Sequence, residues 1–247
     1  MMHQILFVIF ILVIFLSPSH QNNFADTDKF NNDKLNDRPI IAILAQDVWN
    51  NDKKAPQRSY IAASYVKYIE ASGARVIPIP SHLSQDKVEE IFNGVNGVLF
   101  PGGGINWNTS GYFRHAQYFF KRALESNQNG EYFPIWGTCL GFEALHVIAA
   151  DDGVQVLSKF SASDISLPLH FTKQADTSRM FGSLPQPLRM SLETENITYN
   201  HHSYGVSPIT YLREKSLKNF FKVISTNEGK NGGRFISSVE GRFVFFD

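Results

Sequence analysis

The stretch FPIWGTCLGFEAL, residues 133 to 145, holds the single cysteine of the chain, Cys139, between Gly137 and Gly141, where a short apolar run gives way to a helix-like one. A glycine-x-nucleophile-x-glycine sequence between a strand and a helix is the pattern of a sharp elbow. Small flanking residues let the backbone turn and lift the middle side chain above the sheet. The helix start that follows aims free N–H groups at the thiol, which is expected to lower its pKa and enrich the reactive thiolate. The competing reading is a buried structural cysteine that behaves as a small hydrophobe.

Upstream of this stretch, RPIIAIL (38–44) is a β-branched run too short for a helix and reads as a buried strand. Ser59 is placed to cap a helix over YIAASYVKYIEAS, whose Ile61, Tyr65, Tyr68 and Ile69 share one stripe and whose run stops at Gly73. ARVIPIP (74–80) is the next strand, 85–93 a short helix, GVLFPGGG (97–104) a strand entering a glycine turn, and 112–127 an amphipathic helix. YFPIW (132–136) and 141–150 complete the alternation as strand and helix. This pattern predicts an α/β fold, an open and mostly parallel sheet with helices on both faces. From 154 to 246 the short alternating runs VQVLSKF, LRMSLE, FKVISTN and RFISSVEGRFVFF, with a helix at 213–221, predict a β-rich second half that closes the same domain.

A chain of 247 residues suits one domain, and 23 basic against 23 acidic residues give no electrostatic case for nucleic acid or an anionic membrane. The apolar run Ile5 to Leu16, followed by Ser17-Pro18-Ser19, is too short to span a bilayer comfortably and suits a secretory signal, with a retained anchor as the alternative. Residues 1–19 are read as signal peptide, 20–37 as a polar leader and 38–247 as the domain, with no stable membrane insertion after cleavage. One cysteine in a secreted chain cannot form an internal disulfide, so the unpaired thiol needs a reason. The sequons at Asn108 and Asn196 fit exposed loops of a glycoprotein.

In an open parallel sheet, ligands bind beyond the carboxyl ends of the strands. Both glycine turns, Gly102-Gly103-Gly104 and the one around Cys139, fall at such ends. The elbow would place the Leu140 N–H against the oxyanion formed when sulfur attacks a carbonyl, and Gly103 and Gly104 would supply a second donor. No metal site is legible, no cofactor is expected, and the glycine turns lack the Lys-Ser/Thr of a phosphate loop.

On these residues the sequence resembles the gamma-glutamyl hydrolases, secreted and lysosomal members of the class I glutamine amidotransferase-like fold. The resemblance runs from about Arg38 to Phe246 through RPIIAILAQ, YIAASYVKYIEASGARVIPI, NGVLFPGGG, YFPIWGTCLGFEAL, SRMF (178–181) and FISSVEG (235–241). It implies that Cys139 attacks the γ-linked amide of a folyl-poly-γ-glutamate. A thioester forms, water cleaves it, and glutamate or short γ-glutamyl peptides are released. It also implies secretion or residence in a lysosome or vacuole, and leaves a homodimer open. By position, His202 in NHHSYG falls where the family has a histidine-bearing loop over the substrate cleft. His201 is the matching residue if that loop shifts by one.

One departure stands against the agreement. After the VEG strand the family continues into a Trp-His-Pro-Glu stretch that supplies a histidine proton donor, whereas this sequence ends at Phe245-Phe246-Asp247. The expectation is therefore a C-terminally incomplete domain, or a chain in which His202 takes the catalytic place of the absent histidine beside Cys139, or a catalytically impaired homologue that binds polyglutamates without cutting them. Expelling an amine needs a proton on nitrogen, and loss of the catalytic histidine in a serine protease costs about 10⁶ in turnover. His146 lies seven residues beyond Cys139, about 10 Å along a helix, too far for direct contact. His3 and His20 belong to the signal or leader, and His82, His115 and His170 read as surface or satisfied histidines. A third reading, an α/β-hydrolase with Cys in place of Ser, would still require a late acid and histidine.

Overall fold

A computed structural model describes residues 11–14, 36–48 and 58–242. Most of the stretch read as signal and leader, and the terminal FVFF, lie outside the described residues. In chain order, Ile11–Ile14 forms β1 and Ile40–Leu44 forms β2, followed by the two-residue strands β3 (Gln46–Asp47) and β4 (Ser59–Tyr60), which pair with each other. Then α1 (Ala63–Ala71), β5 (Arg75–Ile79), α2 (Gln85–Gly94), β6 (Gly97–Phe100), α3 (Gly111–Gln128), β7 (Ile135–Thr138) and α4 (Leu140–Ala149) alternate as the periodicity predicts. The second half contributes β8 (Leu157–Leu167), β9 (His170–Phe171), α5 (Gln186–Thr194), β10 (Thr198–Val206), α6 (Pro208–Arg213), α7 (Lys215–Phe220), β11 (Phe221–Glu228) and β12 (Arg234–Gly241).

Eight strands make one sheet in the order β5-β2-β6-β7-β1-β12-β11-β9. The β5-β2-β6-β7 part is parallel, and β12, β11 and β9 extend the other side antiparallel. Strand β1, inside the stretch read as a signal, fills the slot between them, antiparallel to β7 and parallel to β12.

Helices cover both faces of the parallel part. Register aligns Ala42, Val98 and Ile135 in one row, and these residues share a core with Phe92 of α2, Phe119 of α3 and Phe142 of α4. The neighbouring row of Ile43, Leu99 and Trp136 faces the other way, where Tyr68 of α1 packs its ring 6.4 Å from that of Trp136. Strand alternation thus feeds two helical layers from one set of apolar runs. A satellite core of Leu169, Ala175, Phe181, Leu192 and Ile224 lies under the SRMF segment. That segment is tied to the VEG strand by the Met180 N–H, which donates to the buried Glu240 carboxylate at 2.7 Å.

Three local expectations are corrected. Ser59 does not cap α1: it pairs with Asp47 in the β3–β4 ribbon, and the helix starts after Ala62 with no side-chain cap. LRMSLE is helical, part of α5, which buries Leu192 while Leu188 and Met190 are exposed. The helix expected at 213–221 is two short helices meeting at Glu214, the first capped by Ser207, whose hydroxyl accepts the Thr210 N–H at 2.9 Å.

Candidate active site

Cys139 sits between β7 and α4 with φ 52° and ψ −110°, a conformation costly for any residue with a Cβ. Its flanking glycines explain why the chain tolerates it. A Cβ on Gly137 would meet the Leu145 side chain at 2.5 Å and the Gly141 carbonyl oxygen at 2.8 Å. A Cβ on Gly141 would lie 1.9 Å from the Phe100 carbonyl oxygen. Gly137 is therefore demanded by the close return of α4 over the end of β7, and Gly141 by the crossing that holds the elbow against β6.

The triple-glycine turn lies directly beside the sulfur: a Cβ on Gly102 would be 3.0 Å from Cys139 Cβ and 3.5 Å from its Sγ. Backbone N–H groups of Leu140 and Gly103 both reach the thiol and favour its anion. Leu140 and Gly103, expected from sequence as oxyanion donors, are thus brought together around the nucleophile. Gly104 also lines the cleft.

The expectation of a thiol pKa lowered overall is corrected. Burial, and next the Glu143 carboxylate, push the Cys139 thiol up to about 11, outweighing the two N–H groups. Glu143 stands one helical turn beyond the cysteine, its N–H donating to the Cys139 carbonyl at 3.0 Å, and burial raises its own carboxyl to about 7. The sequence reading missed this residue, although an acidic side chain four positions after a nucleophile on one helix face is a legible signal.

The cleft encloses about 330 Å³, with Cys139, Leu140 and Glu143 on one wall and Ser163, His202 and Tyr204 on the other. That second wall is a two-stranded antiparallel ribbon of β8 and β10. Register there skips between Asn200 and His202 and between His202 and Tyr204, each time with an extra residue on β8. Asp164, at φ 52°, marks one of these bulges.

His202 therefore reaches the cleft from a bulged strand rather than a loop. It is buried, its Nδ1–H donates to the Tyr204 carbonyl at 2.8 Å, and burial pushes its pKa down to about 4. His201 lines the same cleft from its exposed rim, paired through Nδ1 with Asp164 at 3.0 Å, while the Tyr199 hydroxyl donates to the same carboxylate oxygen at 2.6 Å. His146, as expected, does not contribute. It is packed between Phe142 and Phe221, donates to the Phe142 carbonyl at 2.9 Å, and is held down at about 4. His115 is likewise buried against the Leu83 carbonyl oxygen. Among the described residues, no group of three or more His, Cys, Asp or Glu side chains could hold a metal ion, and no helix is long and apolar enough to cross a membrane.

Glu143 gives a pH prediction with a definite sign. Its carboxyl is raised in the folded chain from the usual 4.5 to about 7, so the stability it contributes is full below about pH 4.5 and is lost as pH rises through 7. Glu143→Gln is expected to flatten that loss. The variant should gain on the order of 2 kcal/mol over the parent at pH 8 and little at pH 4, read from chemical denaturation at the two pH values. Removing the carboxylate should also lower the thiol pKa, so iodoacetamide should alkylate Cys139 faster at pH 8. An unchanged alkylation rate would show that the carboxylate does not govern the sulfur.

The peptidase C26 family profile matches residues 39–223. The chain is 48% identical over 205 residues to a gamma-glutamyl hydrolase of Rattus norvegicus, covering 83% of this chain and 63% of that protein. It is 42% identical over 205 residues to the gamma-glutamyl hydrolase of Homo sapiens, with the same coverage, and 37% identical over 209 residues to gamma-glutamyl hydrolase B of Dictyostelium discoideum, with 84% and 60% covered. The chain thus spans less than two thirds of the length of these relatives.

Proposed function

Because the chain belongs to the peptidase C26 family, we propose that it hydrolyses γ-glutamyl amide bonds through Cys139, with folyl-poly-γ-glutamates as the substrate class. The observation that carries this reading is the strained cysteine at the strand–helix turn, with the Leu140 and Gly103 N–H groups converging on its sulfur inside a cleft. The relatives named gamma-glutamyl hydrolase supply the bond to be cut.

In the proposed step the Cys139 thiol gives its proton to the ionised Glu143 carboxyl as sulfur bonds to the γ-carbonyl carbon, and the carbonyl π pair moves onto oxygen, where the two N–H groups receive it. Collapse breaks the C–N bond, the leaving nitrogen takes up a proton, and a thioester remains for water to cleave. An amide anion leaves too poorly for this to proceed without an acid. His202, held neutral down to about pH 4, serves as a hydrogen-bonding wall rather than as that acid, whereas Glu143 keeps a proton up to about pH 7 beside the sulfur. His201, exposed at the rim and oriented by Asp164, is positioned to meet the carboxylates of a polyanionic substrate. Sorting through the secretory route to the exterior, lysosome or vacuole belongs to the same proposal. Its support is the apolar run at Ile5 to Leu16 with Ser17-Pro18-Ser19 after it.

The test is to incubate the chain with a polyglutamylated folate and measure released glutamate and γ-glutamyl peptides chromatographically, while acid-quenched samples are weighed for an acyl adduct on Cys139. Release with a transient adduct is expected. Binding of the substrate with neither product nor adduct would overturn the hydrolytic reading in favour of a polyglutamate-binding protein.

A further inference from the structure

The geometry points to Gln46 as a positioning residue that aims the Gly103 N–H at the reacting centre, an inference that rests on the acyl-transfer reading above. Gln46 comes from the short strand β3, more than fifty residues before the turn it holds, and is buried. Its side-chain amide acts on both flanks of Gly103. The Nε2 group donates to the Gly102 carbonyl oxygen, and Oε1 accepts the Gly104 N–H at 3.3 Å. The Tyr60 hydroxyl, on the strand paired with β3, donates to the same Oε1 at 3.3 Å and fixes which way the amide faces.

A second anchor acts on the near side of the turn. The Gly102 N–H donates to the Tyr65 hydroxyl of α1 at 2.9 Å, and burial keeps that phenol protonated, with its pKa pushed up to about 12. With Gly102 held at both its N–H and carbonyl, and Gly104 at its N–H, the peptide between them has one orientation. Its N–H faces Cys139.

The same packing explains the middle glycine. Gly103 has φ 150°, and a Cβ there would fall 1.7 to 2.1 Å from the Gln46 amide atoms. Gln46 thus occupies the space a side chain would need, and in exchange defines the turn. Donors that are fixed before charge develops are worth far more than donors that must reorganise, and removing one oxyanion donor typically costs about 10²–10³ in turnover. The function of Gln46 is therefore carried by the direction of the Gly103 N–H rather than by contact with substrate.

The test separates the oxyanion from the thiol. A carbon-labelled aldehyde analogue of a γ-glutamyl group adds reversibly to Cys139: sulfur loses its proton, the S–C bond forms, and the carbonyl π pair goes to oxygen, which sits where the N–H groups point and takes up the proton as the hemithioacetal hydroxyl. Alkylation by iodoacetamide forms an S–C bond with loss of iodide and places no charge on that oxygen. Gln46→Met keeps length and volume but forms neither hydrogen bond. It is expected to weaken aldehyde binding, read by NMR of the labelled carbon, about 30-fold, while the high-pH plateau rate of alkylation stays within about threefold.

If Gln46→Met does not fold, Gln46→Glu decides the matter, since it keeps the length and the acceptor but loses the donor to Gly102 and should weaken aldehyde binding by a similar factor. Aldehyde binding unchanged in the folded variant, or lost in proportion to alkylation, overturns the positioning role. An unsubstituted chain that forms no hemithioacetal removes the acyl-transfer reading itself and this role with it.

Discussion

Cys139→Ser is expected to reduce glutamate release from a polyglutamylated folate by about 10⁴-fold or more, with folding intact. A hydroxyl ionises far less readily than a thiol. The neighbours that would have to activate it are adapted to other ends: Glu143 is largely protonated below pH 7, and His202 spends its Nδ1–H on the Tyr204 carbonyl. Cys139→Gly is expected to be as inactive and yet more stable. The backbone at φ 52°, ψ −110° is strained for the cysteine, and relieving it should return about 1–2 kcal/mol in a denaturant titration, less the small apolar burial of the side chain. A serine variant that retains a tenth of the parent turnover would remove Cys139 as nucleophile.

The second large effect is structural. Gly141→Ala would place a methyl carbon 1.9 Å from the Phe100 carbonyl oxygen and 2.6 Å from its carbon, both rigid backbone of β6. No rotamer relieves that collision, so α4 would have to withdraw from the sheet and take Glu143 and the Leu140 N–H with it. A loss of about 3 kcal/mol or more is expected, against a near-neutral or slightly positive change for Gly94→Ala, where a Cβ meets nothing within 4 Å. Thermal melts of the two variants make the comparison. Equal melting midpoints would show that the elbow has more slack than its close contacts imply.

Much of the parallel half was legible because its signals are local. In FPIWGTCLGFEAL the strand, the turn residues and the helix follow one another within thirteen positions, and each is set by short-range sterics. Residues that act across the fold gave no such signal. Gln46 reaches Gly102 and Gly104, and Tyr65 reaches Gly102, only after strands far apart in sequence have paired. Two local signals misled for definite reasons. Leu188, Met190 and Leu192 alternate like a strand, but Pro187 fits the first turn of a helix and only Leu192 is buried, so helix geometry satisfies the segment. Ser59 has the chemistry of a cap, but its backbone is taken by pairing with Asp47. The thiol pKa was misjudged because helix-end N–H groups are visible in a sequence and burial is not.

The two walls of the cleft belong to different sheets. The nucleophile and its N–H partners are fixed to the eight-stranded sheet, while Ser163, His201, His202 and Tyr204 ride on the bulged β8–β10 ribbon. Such a division lets substitutions in the ribbon alter which ligands are admitted while bond-breaking geometry stays untouched. Divergence in selectivity among related chains is therefore expected to accumulate on that ribbon first.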